Sequence, residues 1–169
     1  IAFLFEKYNI SQHLAGIRIS LFFLAIMLPG LFLNRIISVT RSYTNALSAL
    51  IIAVGLLILS LFKSPTLLIC GVILVGFGYG IMQPLIYDKA AIIAPPQLST
   101  KALSIVMAAN YTAIILCPFI INTARKLFAN QTEQFGFLFN GVLAAIVTLI
   151  AFMGKKDFAL GLDSYYYSK

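Results

Sequence analysis

The side chains that could do chemistry in this sequence are few, and the deepest are uncharged. Tyr79, Gln83, Asn110, Tyr111, Thr112 and Asn140 all stand inside long apolar runs. Amides and phenols there donate and accept hydrogen bonds; they are not the positioned acids, bases or nucleophiles that covalent chemistry needs. Leaving such a group unpaired in hydrocarbon costs a few kcal/mol, so each must meet another helix, a ligand or water. Two readings follow. The polar groups tie helices together, at roughly 0.6 kcal/mol per contact, or they line a cavity for a small molecule. Asn140 fits the first reading best, whereas Gln83, Asn110 and Tyr111 fit either.

Other chemistries lack their residues. The sequence has no GxSxG, no HExxH, no phosphate-binding glycine loop and no paired carboxylates within an apolar run. His13 is the sole histidine, and Cys70 and Cys117 belong to no CxxC, so no metal site is expected and no cofactor is implied. A membrane-embedded enzyme would need titratable groups gathered at one depth. The only acids, Glu6, Asp88, Glu133, Asp157 and Asp163, all lie outside the middle of the apolar runs. Asp88 comes nearest, as a solvated end charge paired with Lys89 or a loop arginine, or as a proton-coupling acid.

The elements that position these groups are membrane spans. The 169 residues are 61% hydrophobic and 10% charged, with a mean hydropathy of +0.99, against roughly 25% charged in soluble domains. The net charge of +7 comes from short loops between apolar runs and is no nucleic-acid signal. Five spans are expected, at about 14–33, 44–62, 66–87, 101–124 and 134–153, giving an all-α, multi-pass transmembrane helix bundle in the lipid bilayer of a cell membrane. Ile1–Phe5 reads as the end of a truncated helix, Asn34–Tyr43 as a basic loop, and 154–169 as a polar tail. Ser99 or Thr100 is a plausible N-cap for the fourth span. Basic residues are more numerous in the loops after the first and third spans and in the tail, which places those segments in the cytoplasm.

The third span organises the rest. Thr66–Tyr87 holds 22 residues without a charge, long enough to cross the roughly 30 Å hydrocarbon core. At about 100° per residue, Tyr79, Gln83 and Tyr87 form one stripe, with Gly76 and Gly80 on or beside it. That side is thin enough for close helix approach and carries polar tips. In the fourth span Ser104, Met107 and Tyr111 share a face, flanked by Asn110 and Thr112, and Pro118 is expected to kink the helix. Arg18, one turn into the first span, either snorkels to the interface or faces an internal cavity.

Together these stretches resemble the C-terminal half of a major facilitator superfamily transporter, over essentially the whole chain. Gly30-Leu31-Phe32-Leu33-Asn34-Arg35 resembles the family's G-x-x-x-D-R loop motif, with Asn34 in place of the aspartate and the distal basic cluster reduced to Arg41. The stretch from Gly71 to Pro84 is similar to the glycine-rich tenth helix, and Cys117-Pro118 stands where drug exporters of the family often carry Gly-Pro. The resemblance implies half of a two-bundle fold, an N-terminal bundle as partner, and a small-molecule substrate between the bundles, moved by rocking and coupled to an ion gradient. On this reading Tyr79, Gln83, Asn110 and Tyr111 line the cavity, with Arg18 a further candidate. Gly30, Asn34, Arg35 and Arg41 form a cytoplasmic gate, and Gly76, Gly80 and Pro118 shape helix packing. Drug and small-metabolite exporters are the nearest type, and Ile81–Ala90 also resembles exporters of opine-type metallophores. The rival is a non-transporting scaffold or a subunit of a larger membrane complex.

Overall fold

The computed structural model describes residues 12–129, 132, 134–155, 157 and 161, with the side chains of residues 12–15 and 18 outside the description. The expected stump Ile1–Phe5, the side chain of Arg18 and most of the tail therefore lie outside the described residues. Among the described residues there are six α-helices and no strand: α1 (Gln12–Leu31), α2 (Leu33–Thr40), α3 (Thr44–Leu61), α4 (Pro65–Ile93), α5 (Ser99–Leu127) and α6 (Phe135–Met153). Single 3₁₀ turns, Arg41–Tyr43 and Pro96–Leu98, precede α3 and α5. The fold is an all-α bundle in which four helical stretches, Leu33–Leu61, Pro65–Ile93, Pro96–Leu127 and Phe135–Met153, are long and apolar enough to cross a membrane. A helix, α1, stands where the first span is expected.

Helix α3 packs along both α4 and α6, and α4 packs along α3 and α1. The order across the bundle is thus α1, α4, α3, α6, with α5 set against α4 by lighter contact. The short turn Phe62–Ser64 between α3 and α4 makes them antiparallel neighbours. Ser64 is extended, and Pro65 opens α4 in its first turn, where a missing N–H costs nothing.

Glycines in α4 set these distances, and they do so on two faces. A Cβ on Gly71 would stand 3.0 Å from the Gly55 carbonyl of α3, and one on Gly78 would stand 2.7 Å from the Ser48 carbonyl. These two glycines are seven residues apart and share a face. On the other face, a Cβ on Gly76 would meet the Phe22 carbonyl of α1 at 2.9 Å, and one on Gly80 would collide with the Ile26 carbonyl. Between bare backbones the core fills with Leu59, Leu68 and Val72 near the Lys63 end and with Ile37, Ile81 and Leu85 near the Lys89 end.

Three expected boundaries move. The basic loop Asn34–Tyr43 is the helix α2 followed by a 3₁₀ turn, because Leu33, Ile36 and Ile37 present one apolar face to Phe77, Ile81 and Leu85 of α4. Helix α4 does not stop at Asp88-Lys89 but runs to Ile93, since Lys89 is itself buried and Ala90–Ile93 continue the helix. At α5 the N-cap position belongs to Leu98, with no side-chain cap. The preceding turn, closed by Leu98 N–H to the Pro95 carbonyl at 2.8 Å, brings Ser99 into the helix, and its hydroxyl bonds the Ala91 carbonyl instead.

The glycine seams predict a sharp asymmetry. Gly80→Ala should destabilise the protein by about 1–3 kcal/mol through overpacking, whereas Gly30→Ala, whose added methyl meets nothing within 4 Å, should stay within about 0.5 kcal/mol. Denaturation of both variants in the same detergent, followed by circular dichroism, measures the difference.

Candidate functional site

The polar stripe of α4 is built by helical spacing and oriented by the α1 seam. Tyr79, Gln83 and Tyr87 are each half-buried, on a face adjoining Gly76 and Gly80. Gln83 Nε2 donates to the Tyr87 hydroxyl at 3.0 Å. One turn of the helix thus holds a linked amide and phenol, with the Gln83 carbonyl oxygen able to accept further. Pro84, inside the helix, removes the N–H that would bond the Gly80 carbonyl, so the backbone is weakened beside the stripe.

The candidates on α5 separate. Leu103, Val106, Asn110, Cys117, Ile121 and Ala124 are among the residues of α5 that are at least half-buried; they recur at three, four or seven residues, as one helix face requires, with 111–116 exposed between Asn110 and Cys117. Asn110 belongs to that face. Tyr111 lies about 100° away and is 63% exposed, on the open face with Ser104 and Met107. No side-chain hydrogen bond joins Asn110 or Tyr111 to the α4 stripe among the described residues. Thr112 bonds back to the Ala108 carbonyl of its own helix at 2.8 Å. Asn140 does the same to Gly136 at 2.9 Å, so its amide is satisfied within α6 rather than across helices. Helix α5 runs without interruption through Pro118.

The four residues assigned to a gate fall on three elements, α1, α2 and the 3₁₀ turn that follows it. Gly30 is in the last turn of α1, after a fully buried Pro29. Asn34 and Arg35 lie exposed on α2, opposite the isoleucines that dock it. Arg41 closes α2 with a positive φ of 49°, a conformation costly for any residue with a Cβ. The adjoining threonines hold that turn: Thr40 Oγ1 lies 2.6 Å from Thr44 Oγ1, and Thr44 donates to the Arg41 carbonyl at 2.6 Å. The docking face of α2 escaped the sequence reading, although Leu33, Ile36, Ile37 and Thr40 recur at i, i+3, i+4 and i+7. The second glycine seam, Gly71 with Gly78, escaped it as well, because seven-residue spacing lies outside a GxxxG search.

Chemically the arrangement offers hydrogen-bond donors and acceptors along a membrane-crossing helix, and no group of three or more His, Cys, Asp or Glu that could hold a metal occurs among the described residues. Those groups can hydrogen-bond a neighbouring helix, a solute or water. The chain matches the family model of the Major Facilitator Superfamily over residues 1–161. It belongs to that superfamily, whose members are membrane secondary transporters rather than enzymes. No curated protein and no solved structure matches the chain.

The Arg41 turn gives a signed prediction. Arg41→Gly removes a backbone cost of about 1–3 kcal/mol and adds back a smaller chain-entropy cost, so stability should rise by about 1 kcal/mol. Arg41→Val, which keeps the Cβ and adds branching, should lower it. Thermal unfolding of the two variants in one detergent distinguishes the signs.

Proposed function

We propose that this chain is the C-terminal bundle of a secondary transporter that exports a small organic molecule by alternating access, driven by an ion gradient. The observation that carries the reading is the stripe Tyr79–Gln83–Tyr87. It runs along a helix clamped by glycines on two faces, and it supplies polar groups at membrane depth where lipid has no use for them. Substrate would lie between this bundle and an N-terminal bundle of the same protein. Tyr79 and Gln83 contribute from α4, Asn110 and Tyr111 from α5, and Arg18 from α1. The open face of α5 around Tyr111 suits this role, because in a two-bundle transporter it meets the cavity or the opposite bundle rather than its own.

The end of the bundle bearing Arg35, Arg41 and Lys89 would face the cytoplasm, by the weight of basic residues there. Arg35 and Arg41 on the docked α2 segment then act as the gate. With Asn34 in the aspartate position, that gate closes through hydrogen bonds rather than an ion pair within the motif. Within this reading, the resemblance of Ile81–Ala90 to metallophore exporters offers an opine-type metallophore as the alternative substrate class. Such carboxylate-bearing solutes would call on a cation, and Arg18 is the candidate. The scaffold or subunit reading predicts no solute movement at all.

The test is transport by the longest natural reading frame containing this segment, reconstituted in proteoliposomes with an imposed proton or sodium gradient and a panel of metal-chelating and drug-like solutes. The expected result is gradient-dependent transport that Gln83→Leu lowers by about tenfold or more, at unchanged protein level, as loss of a hydrogen bond to a polar solute implies. The isolated 169-residue chain should not transport. Transport unaffected by Gln83→Leu would remove the cavity assignment, and absence of transport by that reading frame would favour the scaffold.

A further inference from the structure

The chain beyond α6 returns to the bundle and is held there by specific groups. Lys89, near the end of α4, is only 7% exposed, and its ammonium donates to the backbone carbonyl of Gly161 at 2.5 Å. Asn45, in the first turn of α3, directs its amide at the same oxygen from 3.5 Å. Gly161 also donates its own N–H to the Asp157 carbonyl at 2.7 Å. A Cβ at position 161 would collide with the Lys155 carbonyl, so only glycine allows the chain to fold back this tightly.

A second anchor lies at the other side of this short return. The Lys155 ammonium donates to the Tyr43 hydroxyl at 2.5 Å and sits 4.5 Å from the centre of the Tyr43 ring. That ring in turn packs against Phe152 of α6 at 5.4 Å. Lys155 and Gly161 thus touch the turn before α3, the start of α3 and the end of α4, through one cation at each anchor.

We infer that Asn45 and Lys89 form a binding site for the chain's own tail, which grips the carbonyl of Gly161 and ties the adjoining ends of α3, α4 and α6 together. A charge-assisted hydrogen bond made by a buried ammonium is stronger than one made in water. Glycine at 161 is the recognition element, because its missing side chain lets the carbonyl turn toward Lys89. Lys155 on Tyr43 sets the register. Docked in this way, the tail makes the three helix ends move as one unit. This inference does not depend on what the protein transports.

The test is amide hydrogen exchange on the full chain in lipid nanodiscs, read on peptides covering 154–161 and on peptides of α3 and α6. The tail should exchange more slowly than an unstructured peptide. Gly161→Ala and Lys89→Met should each speed it by about tenfold or more, together with the adjoining ends of α3 and α6, leaving the middle of both helices unchanged. Lys89→Arg, which keeps charge and donor, should retain most of the protection. If Lys89→Met loosens the middle of α3 and α6 as well, Asn45→Ala takes its place in the comparison. A tail that exchanges like a free peptide in the parent protein overturns the inference. So does a folded Lys89→Met or Asn45→Ala variant whose tail stays as slow as the parent's.

Discussion

Close backbone approach on two sides of one helix is the constraint from which the rest of this bundle follows. Helix α4 meets α3 through Gly71 and Gly78 and meets α1 through Gly76 and Gly80, with carbonyl oxygens where side chains would otherwise stand. Within hydrocarbon there is no hydrophobic drive to pull helices together, so association relies on van der Waals contact and on small residues that permit it. Both seams lie in one ten-residue stretch, on two faces of the same helix. They fix the rotation of α4 about its own axis, and with it the direction of every other side chain on the helix.

The polar stripe and the docked α2 segment both inherit their placement from that rotation. Tyr79, Gln83 and Tyr87 fall beside the α1 seam because they are spaced four residues apart, in step with Gly76 and Gly80. Ile81 and Leu85, on another side, become the platform on which Ile37 of α2 rests. The strained turn at Arg41 is then held from two directions, by the isoleucine contact before it and by the Thr40–Thr44 hydroxyl pair after it. At the same end, Lys89 is drawn inward and meets the returning tail. A membrane helix with its glycines on one face only would anchor one neighbour and leave the others to find their own positions.

Much of this architecture was legible in the sequence, for a physical reason: lipid demands long uncharged stretches, and such stretches are visible without a structure. The runs expected at 44–62 and 134–153 differ by a residue or so from Thr44–Leu61 and Phe135–Met153. What escaped was local chemistry at the ends. Asn34, Arg35 and Ser38 made α2 look like a loop, though its buried face has helical spacing. Asp88-Lys89 looked like a terminus because buried lysines are rare, and nothing in the linear pattern shows that a carbonyl more than seventy residues away will receive the ammonium. On α5 the shared face of Ser104, Met107 and Tyr111 is legible from helical spacing, but which face packs is not. The contact stripe takes Asn110 and leaves Tyr111 in the open.

The central claim is that the glycine-set rotation of α4 turns Gln83 toward a polar cavity rather than toward lipid. The most direct measurement is the labelling rate of Gln83→Cys, on a background with Cys70 and Cys117 replaced by serine, using a charged maleimide and the full natural chain in sealed vesicles. Leu50→Cys, on an exposed apolar face of α3, is the lipid-facing reference. The account predicts labelling at position 83 at least about tenfold faster than at position 50, since a charged reagent partitions poorly into hydrocarbon. Equal, slow labelling at the two positions would contradict it, and would leave the α4 stripe as a contact between helices.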